Sequence, residues 1–260
     1  MSSIIFEVLF TNHQLLITSY QLPVTIRYEI ILLRFKIPIK KLKLLAIDTS
    51  TECCSAALYC DGDISECNEL APRRHAELIL PMVDQLLADT QIALKNLDAL
   101  AFGRGPGSFT GVRIAAGVIQ GLAFAADLPV VPVSSLAALA QGAMEKSTTL
   151  FSAIDARMNE IYWGVFTTGE KNIVIPVGEE QVMKPDLVEI PMDVRCFGIG
   201  SGFNRYPDIL RRKLGACLSG FDGNRYPSAA DMIPLALRDF ESGLAVSAEK
   251  ALPVYLRDRI

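Results

Sequence analysis

From Leu42 onward the hydrophobic and polar positions fall into clear elements. The run KLLAID from Lys43 is short, almost wholly apolar and closed by a carboxylate, which predicts a buried strand. SAALYCDGDISECNEL follows as a hairpin, its Asp61-Gly62 pair supplying the positive φ of a tight turn. Between Arg74 and Asp89, Ala76, Ile79, Leu80, Val83, Leu86 and Leu87 recur at helical spacing, and Leu78 and Met82 widen the apolar surface. Pro81 lies inside this pattern and removes one backbone hydrogen bond, at a cost of roughly 3 kcal/mol, so a kink or a displaced helix start is expected. LDALAFG predicts a short strand that runs into a glycine-rich loop. After it, Gly111 to Ala126 reads as a helix that is apolar almost all round and must be covered on both sides. From Lys171 to Arg225 turn residues abound, and loops joining the strands of the second half are expected there.

The pattern also repeats. AIDTSTECCSAALYCDGD, starting at Ala46, overlays AIDARMNEIYWGVFTTGE, starting at Ala153, without a gap. Asp48 falls on Asp155, Leu58 and Tyr59 on Val165 and Phe166, and Gly62 on Gly169. Two halves that each open with strand, acidic residue and hairpin predict an α/β protein of the two-lobed, actin-like and ribonuclease H-like class, with duplicated lobes meeting at a cleft. The expected division is residues 42–148 for the first lobe and 149–260 for the second, whose final segment can return to the first.

The first forty residues read differently, apolar and basic but broken by charges and by Pro23 and Pro38. They lack the roughly twenty unbroken apolar residues of a membrane span, and also the charge placement and cleavage site of a signal peptide. Leucine codons of the TTG and CTG type can initiate translation in bacteria, so residues 1–41 are expected to be upstream sequence outside the native protein. Composition then narrows the functional classes. A net charge of −4 and a pI near 5.3 give no overall basic field, so any contact with RNA needs a local patch or a partner. The six cysteines show no CxxC spacing, which suits reduced, packed side chains in a cytoplasmic protein with no zinc site.

Candidate chemistry concentrates in GRGPGSFTGVR: Gly103, Arg104, Gly105, Pro106, Gly107, Ser108, Thr110, Gly111 and Arg113. Lying between a strand and a helix, these glycines can turn amides toward an anion. The sequence is neither GxxxxGK[ST] nor GxGxxG and holds no lysine, so by itself it reads first as a rigid turn entered through Pro106 and capped by Ser108 or Thr110. Asp48 with Thr49, and Asp155, stand where nucleotide-binding members of the fold keep carboxylates. The neighbours of Asp155 are Ala156, Arg157 and Met158, and the set is read as a vestigial cleft. His13 and His75 are the only histidines, too few for a histidine-pair metal site or a convincing serine hydrolase, and His75 is expected to be a polar surface or interface residue.

AIDTST, PRRHAELILPMVDQLL, GRGPGSFTGVRIAAGVIQGLA, AIDARMNEIYWGVF and PVYLRD together closely resemble the TsaB family, also called YeaZ, over Leu42 to Ile260, with the family's initiating methionine at Leu42. The resemblance implies a subunit without catalytic residues or cofactor, a paralogue of TsaD. It would pair with TsaD and TsaE to place threonylcarbamoyl on the adenosine next to the anticodon of tRNA, touching tRNA only through the complex. It further implies that the two lobe-one helices meet their TsaD counterparts in a four-helix interface, with Ile79, Met82, Val83, Leu86, Leu87, Ala115, Val118, Ile119 and Leu122 as partner-binding residues, and that the same face forms a homodimer when the chain is alone. The alternative is a stand-alone, kinase-like ATPase of the same fold, recognisable by tight Mg-nucleotide binding. A hydrolase would show itself by metal content or a trapped serine.

Overall fold

The computed structural model describes residues 9–11, 14–16, 42–189 and 194–257. The chain divides into two compact units, Met1–Lys41 and Leu42–Ile260. In the first, β1 (Leu9–Thr11) pairs antiparallel with β2 (Gln14–Leu16), Leu9 opposite Leu16. His13, Pro23, Pro38 and most of the segment expected to be upstream sequence lie outside the described residues.

The second unit holds two five-stranded sheets. The first is built from β3 (Lys43–Asp48), β4 (Cys53–Cys60), β5 (Asp63–Leu70), β6 (Ala99–Gly105) and β7 (Val130–Ser134), in the order β5-β4-β3-β6-β7. The second is built from β8 (Thr149–Arg157), β9 (Glu160–Thr168), β10 (Val174–Met183), β11 (Cys196–Ile199) and β12 (Leu218–Asp222), in the order β10-β9-β8-β11-β12. In each sheet the first three strands in sequence form an antiparallel meander, and the last two add in parallel. Identical order and direction make the two halves a structural duplication, an actin-like arrangement. The overlay without a gap holds for β3 on β8 but slips by one residue on the partner strand. Ala46 faces Ala57, whereas Ala153 faces Trp163 rather than Gly164, because the second hairpin carries a bulge between Asp155 and Arg157.

Among the described residues six helices complete the layers: α1 (His75–Thr90), α2 (Phe109–Ala126), α3 (Ser135–Gln141), α4 (Ser201–Arg205), α5 (Pro207–Leu214) and α6 (Ala229–Glu241). The start of α1 is not displaced by Pro81, which lies well inside the helix. The stretch from Lys171 to Arg225, expected as loops, instead contains β10, β11, α4, α5 and β12. It carries only a few core side chains, among them Phe203, Leu210 and Leu214, set among turn residues, which hides the period of each element.

Alternation along β3 and β6 assigns the faces of the first sheet. Leu45, Ile47, Leu100 and Phe102 point to one side and pack under α1 and α2. Leu44, Ala46, Ala99 and Ala101 point to the other and meet Met232, Ile233 and Ala236 of α6. α3, although it follows the first sheet in sequence, packs Leu136 and Leu139 among Leu150, Ile154, Phe166 and Val174 of the second. Polar side chains fix both crossings: Gln141 accepts from Val174 N at 2.9 Å and donates to Asn172 O at 2.9 Å, and Ser55 accepts from the first amide of α6 at 2.9 Å. The two sheets therefore share one core between their inner faces. α2 is the one helix among the described residues long and apolar enough to cross a membrane by composition, and its buried side lies along the first sheet. The cysteines are unbridged, and only Cys54 and Cys196 are fully buried.

Leu139→Ala removes a wholly buried side chain from the shared core. A loss of about 2–5 kcal/mol in a single unfolding transition is expected in denaturant titrations followed by far-UV circular dichroism and by Trp163 fluorescence. Two separate transitions would contradict a shared core.

Candidate functional site

The glycine-rich loop leaves β6 and enters α2 by lying directly on the connection between β3 and β4. Three hydrogen bonds hold it there: Ser108 N donates to Ser50 O at 2.7 Å, Thr49 Oγ1 donates to Gly111 O at 2.7 Å, and Val254 N from the C-terminal segment donates to Arg104 O at 2.8 Å. This closeness dictates residue type. A Cβ on Gly103 would stand 1.8 Å from Asp48 Oδ2, and one on Gly111 would stand 2.0 Å from Thr49 O, both far inside van der Waals contact. Gly107 rests against Ser50, and the Gly105–Pro106 bond is cis. Ser108 caps α2 by accepting from Gly111 N, while Thr110 is exposed. Ser108 thus forms the cap expected of the turn reading, and the loop's close contacts go to the Ser50 and Thr49 backbone and to the Asp48 side chain.

Asp48 lies beneath this loop with no exposed surface. Its carboxylate accepts from Ser50 N and Ser50 Oγ, each at 2.8 Å, and from Ser135 Oγ at 3.4 Å. Burial pushes its pKa up to about 6, against the lowering effect of those donors. The native carboxyl thus keeps its proton to a higher pH than the unfolded chain does, and this group makes stability fall as pH rises from about 4 through 6. Asp155 differs. Its carboxylate is held by Arg157, through the backbone N at 2.9 Å and Nη1 at 3.0 Å, and it lines an open cleft of about 650 Å³. The two aspartates, equivalent in sequence, do not share a site, since Asp48 and Thr49 are sealed in the core and only Asp155 reaches the cleft.

The cleft is walled by apolar side chains such as Phe109, Ile154, Met158 and Tyr162, with polar ones set among them. Thr51, Glu52, Arg73 and His75 come from the first half, and Asp155 and Arg157 from the second. Arg157 Nη2 also reaches Glu52 at 3.0 Å, joining the halves; with the guanidinium 73 % exposed, such a bridge is worth about 1 kcal/mol or less. Arg157, Met158 and Asn159 all adopt left-handed backbone conformations, which place Arg157 and Met158 on the cleft wall. His75, expected as a polar surface or interface residue, is only 7 % exposed where it opens α1 at the cleft wall. Its Nε2 and the Thr51 Oγ1 are buried without hydrogen-bond partners, in two residues that line the cleft. A second cavity, of about 470 Å³, lies at the start of α2, where the Arg113 guanidinium stacks 3.2 Å from the Phe109 ring centre and faces Tyr255.

The proposed partner residues divide in two. Ile79, Val83, Leu86, Ala115 and Ile119 are at most 3 % exposed and form the ridge that α1 and α2 press onto the sheet, so they are core residues, unavailable to a partner. Met82, Leu87, Val118 and Leu122 are half-buried beside them. The outer surface is made by Leu80, Gly117, Gly121 and Phe124, all exposed. Helical periodicity identified the apolar helices without telling which stripe of each faces the sheet. Sequence reasoning also passed over Ser135, which holds Asp48, and Glu180, which pairs with Arg104 and Ser134 across the halves. Both contacts join residues far apart in the chain and carry no local signal.

Paired five-stranded sheets of this order, joined through a shared core and a cleft, define a protein of the actin-like class. Over 225 residues the chain is 44% identical to tRNA threonylcarbamoyladenosine biosynthesis protein TsaB of Escherichia coli K12, covering 84% of this chain and 96% of that protein. It is 32% identical to the protein of the same name from Bacillus subtilis, over 70% and 80% of the two chains. The solved structure of YeaZ from Pseudomonas aeruginosa superposes with a TM-score of 0.78 at 44% identity, covering 83% of this chain and all of that one. A sequence-family model described as TsaD, tRNA N6-adenosine threonylcarbamoyltransferase, matches residues 68–194. The chain belongs to the TsaB family.

Gly111→Ala forces a methyl group against Thr49 O and is expected to cost about 1–3 kcal/mol, whereas Gly117→Ala meets open space in a helix and should gain up to about 1 kcal/mol. Thermal melts of the two variants check this. Equal melting temperatures would contradict the loop packing.

Proposed function

We propose that the chain is a non-catalytic, activating subunit of the machinery that installs threonylcarbamoyl on the adenosine next to the anticodon of tRNA, pairing with TsaD and joined by TsaE in the cytoplasm. Family membership supports the pathway, and the sealed state of Asp48 supports the non-catalytic role. A carboxylate with no exposed surface, held by three hydrogen bonds beneath the loop, is shielded from a metal-bound nucleotide in the cleft.

The pairing surface is the outer side of α1 and α2. Gly117 and Gly121, beside which a Cβ would meet no atom within 4 Å, leave a shallow lane along α2 between Val118, Leu122 and the exposed Phe124. Leu80 and Met82 of α1 extend it. Two helices of a partner laid into this lane would bury apolar area on the scale of a standard interface, about 1,600 Å² in total. Burial there would hold TsaD in its competent arrangement, and the same lane would pair two copies of the chain when TsaD is absent.

The second reading is a kinase-like ATPase, favoured by the two orphaned polar atoms of residues that line the cleft. Titration of the isolated chain with Mg-ATP separates the two, because micromolar binding would support the ATPase. For the subunit reading, co-expression of Leu42–Ile260 with the TsaD of the same organism should yield a one-to-one complex on affinity capture. Val118→Glu should abolish that complex with the fold intact, since it would bury an unpaired carboxylate at the interface. Unchanged co-elution of the variant on size-exclusion chromatography would reject the surface.

A further inference from the structure

The chain is acidic overall, and many of its arginines are neutralised: Arg74, Arg104, Arg157, Arg225, Arg238 and Arg257 each pair with a carboxylate. One edge of the second sheet departs from this. Because β8, β11 and β12 are parallel, β9 runs antiparallel to β8 and β10 antiparallel to β9, the starts of β8, β10, β11 and β12 and the end of β9 share one rim. Lys146 precedes β8, Lys171 stands in the β9–β10 turn, Arg195 precedes β11, and Arg211, Arg212 and Lys213 end the helix that leads to β12. All six are exposed, and none has an ion pair among the described residues. The same connections also carry Lys184 and Arg205, and the acidic residues Glu145, Glu170, Asp186, Glu189, Asp193 and Asp208, which leaves an excess of two positive charges.

These cations come from four separate connections and meet only through the topology. Five strands at about 4.8 Å spacing set them along a rim about 19 Å wide, enough to meet more than one phosphate of a nucleic-acid backbone. The α5 dipole favours positive charge at the turn that carries Arg211, Arg212 and Lys213. Arg211 is further oriented by Phe221, whose ring centre lies 4.8 Å from the guanidinium carbon. A cavity of about 470 Å³ lined by Arg211, Gly215, Leu218, Ser219, Gly220 and Phe221 adjoins the patch, while the spaced cations offer contact to a phosphate backbone without sequence readout.

We propose that this rim is a phosphate-contacting surface for folded RNA, which on the subunit reading above is the tRNA being modified. The chain then touches the substrate directly as well as through its partner. The rim lies on the second half, whereas the proposed pairing lane lies on α1 and α2 of the first, so both can be occupied together.

The test uses the full chain, both alone and with TsaD, and measures the affinity for unmodified tRNA by fluorescence anisotropy between about 50 and 200 mM salt, the range in which phosphate contacts are most visible. Lys146→Ala/Arg212→Ala/Lys213→Ala should weaken binding tenfold or more and lower the slope of log affinity against log salt by about 2 to 3. Lys95→Ala/Lys250→Ala, which removes charge elsewhere, should leave the slope unchanged. An unchanged slope in the triple variant, or no tRNA binding by either the chain or its complex, overturns the proposal. Loss of binding to phosphatidylglycerol vesicles with tRNA affinity intact overturns it in favour of a membrane surface. Capture of TsaD is scored on the same samples. A chain that binds tRNA through the rim but captures no TsaD counts against the subunit reading and leaves the rim standing.

Discussion

The structure turns on the contact between the glycine-rich loop and the β3–β4 connection. Gly103 and Gly111 let backbone approach backbone where any side chain would collide with Asp48 or Thr49. The hydrogen bonds of Ser108 to Ser50 and of Thr49 to Gly111 then lock α2 to the first strand of its sheet. Two consequences follow. The carboxylate that could have served a metal is sealed under the loop, and α2 is held rigidly enough to present its outer lane of glycines and apolar side chains. The same packing that seals Asp48 fixes the helix surface proposed above for pairing.

The crossed helices carry this rigidity from one half to the other. Ser135, at the first turn of α3, donates to Asp48, while the far end of α3 is bonded through Gln141 to β10 and the turn before it. α6 returns the connection by packing on the first sheet, its first amide held by Ser55. A partner seated on α1 and α2 therefore touches a body whose two halves share a core, and the rim of the second sheet lies within that same body.

Much of this was legible in the sequence, and the remainder was not, for identifiable physical reasons. β3, the Asp61-Gly62 turn, α1 and α2 carry strong local periodicity or turn chemistry, and the structure shows each of them. The internal repeat anticipated the duplicated sheets, although the bulge at Asp155 shifted the second hairpin by one residue, a change no overlay of letters could register. The assignment of partner residues was less accurate. Ile79 and Ile119 look as apolar to a periodicity reading as Met82 and Val118, and only the three-dimensional packing separates the stripe against the sheet from the stripe beside it. Burial of His75 and the pairing of Glu180 with Arg104 had no signal in the chain, since each depends on segments brought together from far apart.

Most direct is the titration of the Asp48 carboxyl by carbon-13 NMR, with and without Mg-ATP. A midpoint near 6 that Mg-ATP does not move is the expected result for a carboxylate sealed beneath the loop. A midpoint near 4 that shifts when Mg-ATP is added would mean that Asp48 faces an open nucleotide site, contradicting the closed loop and the non-catalytic reading built on it.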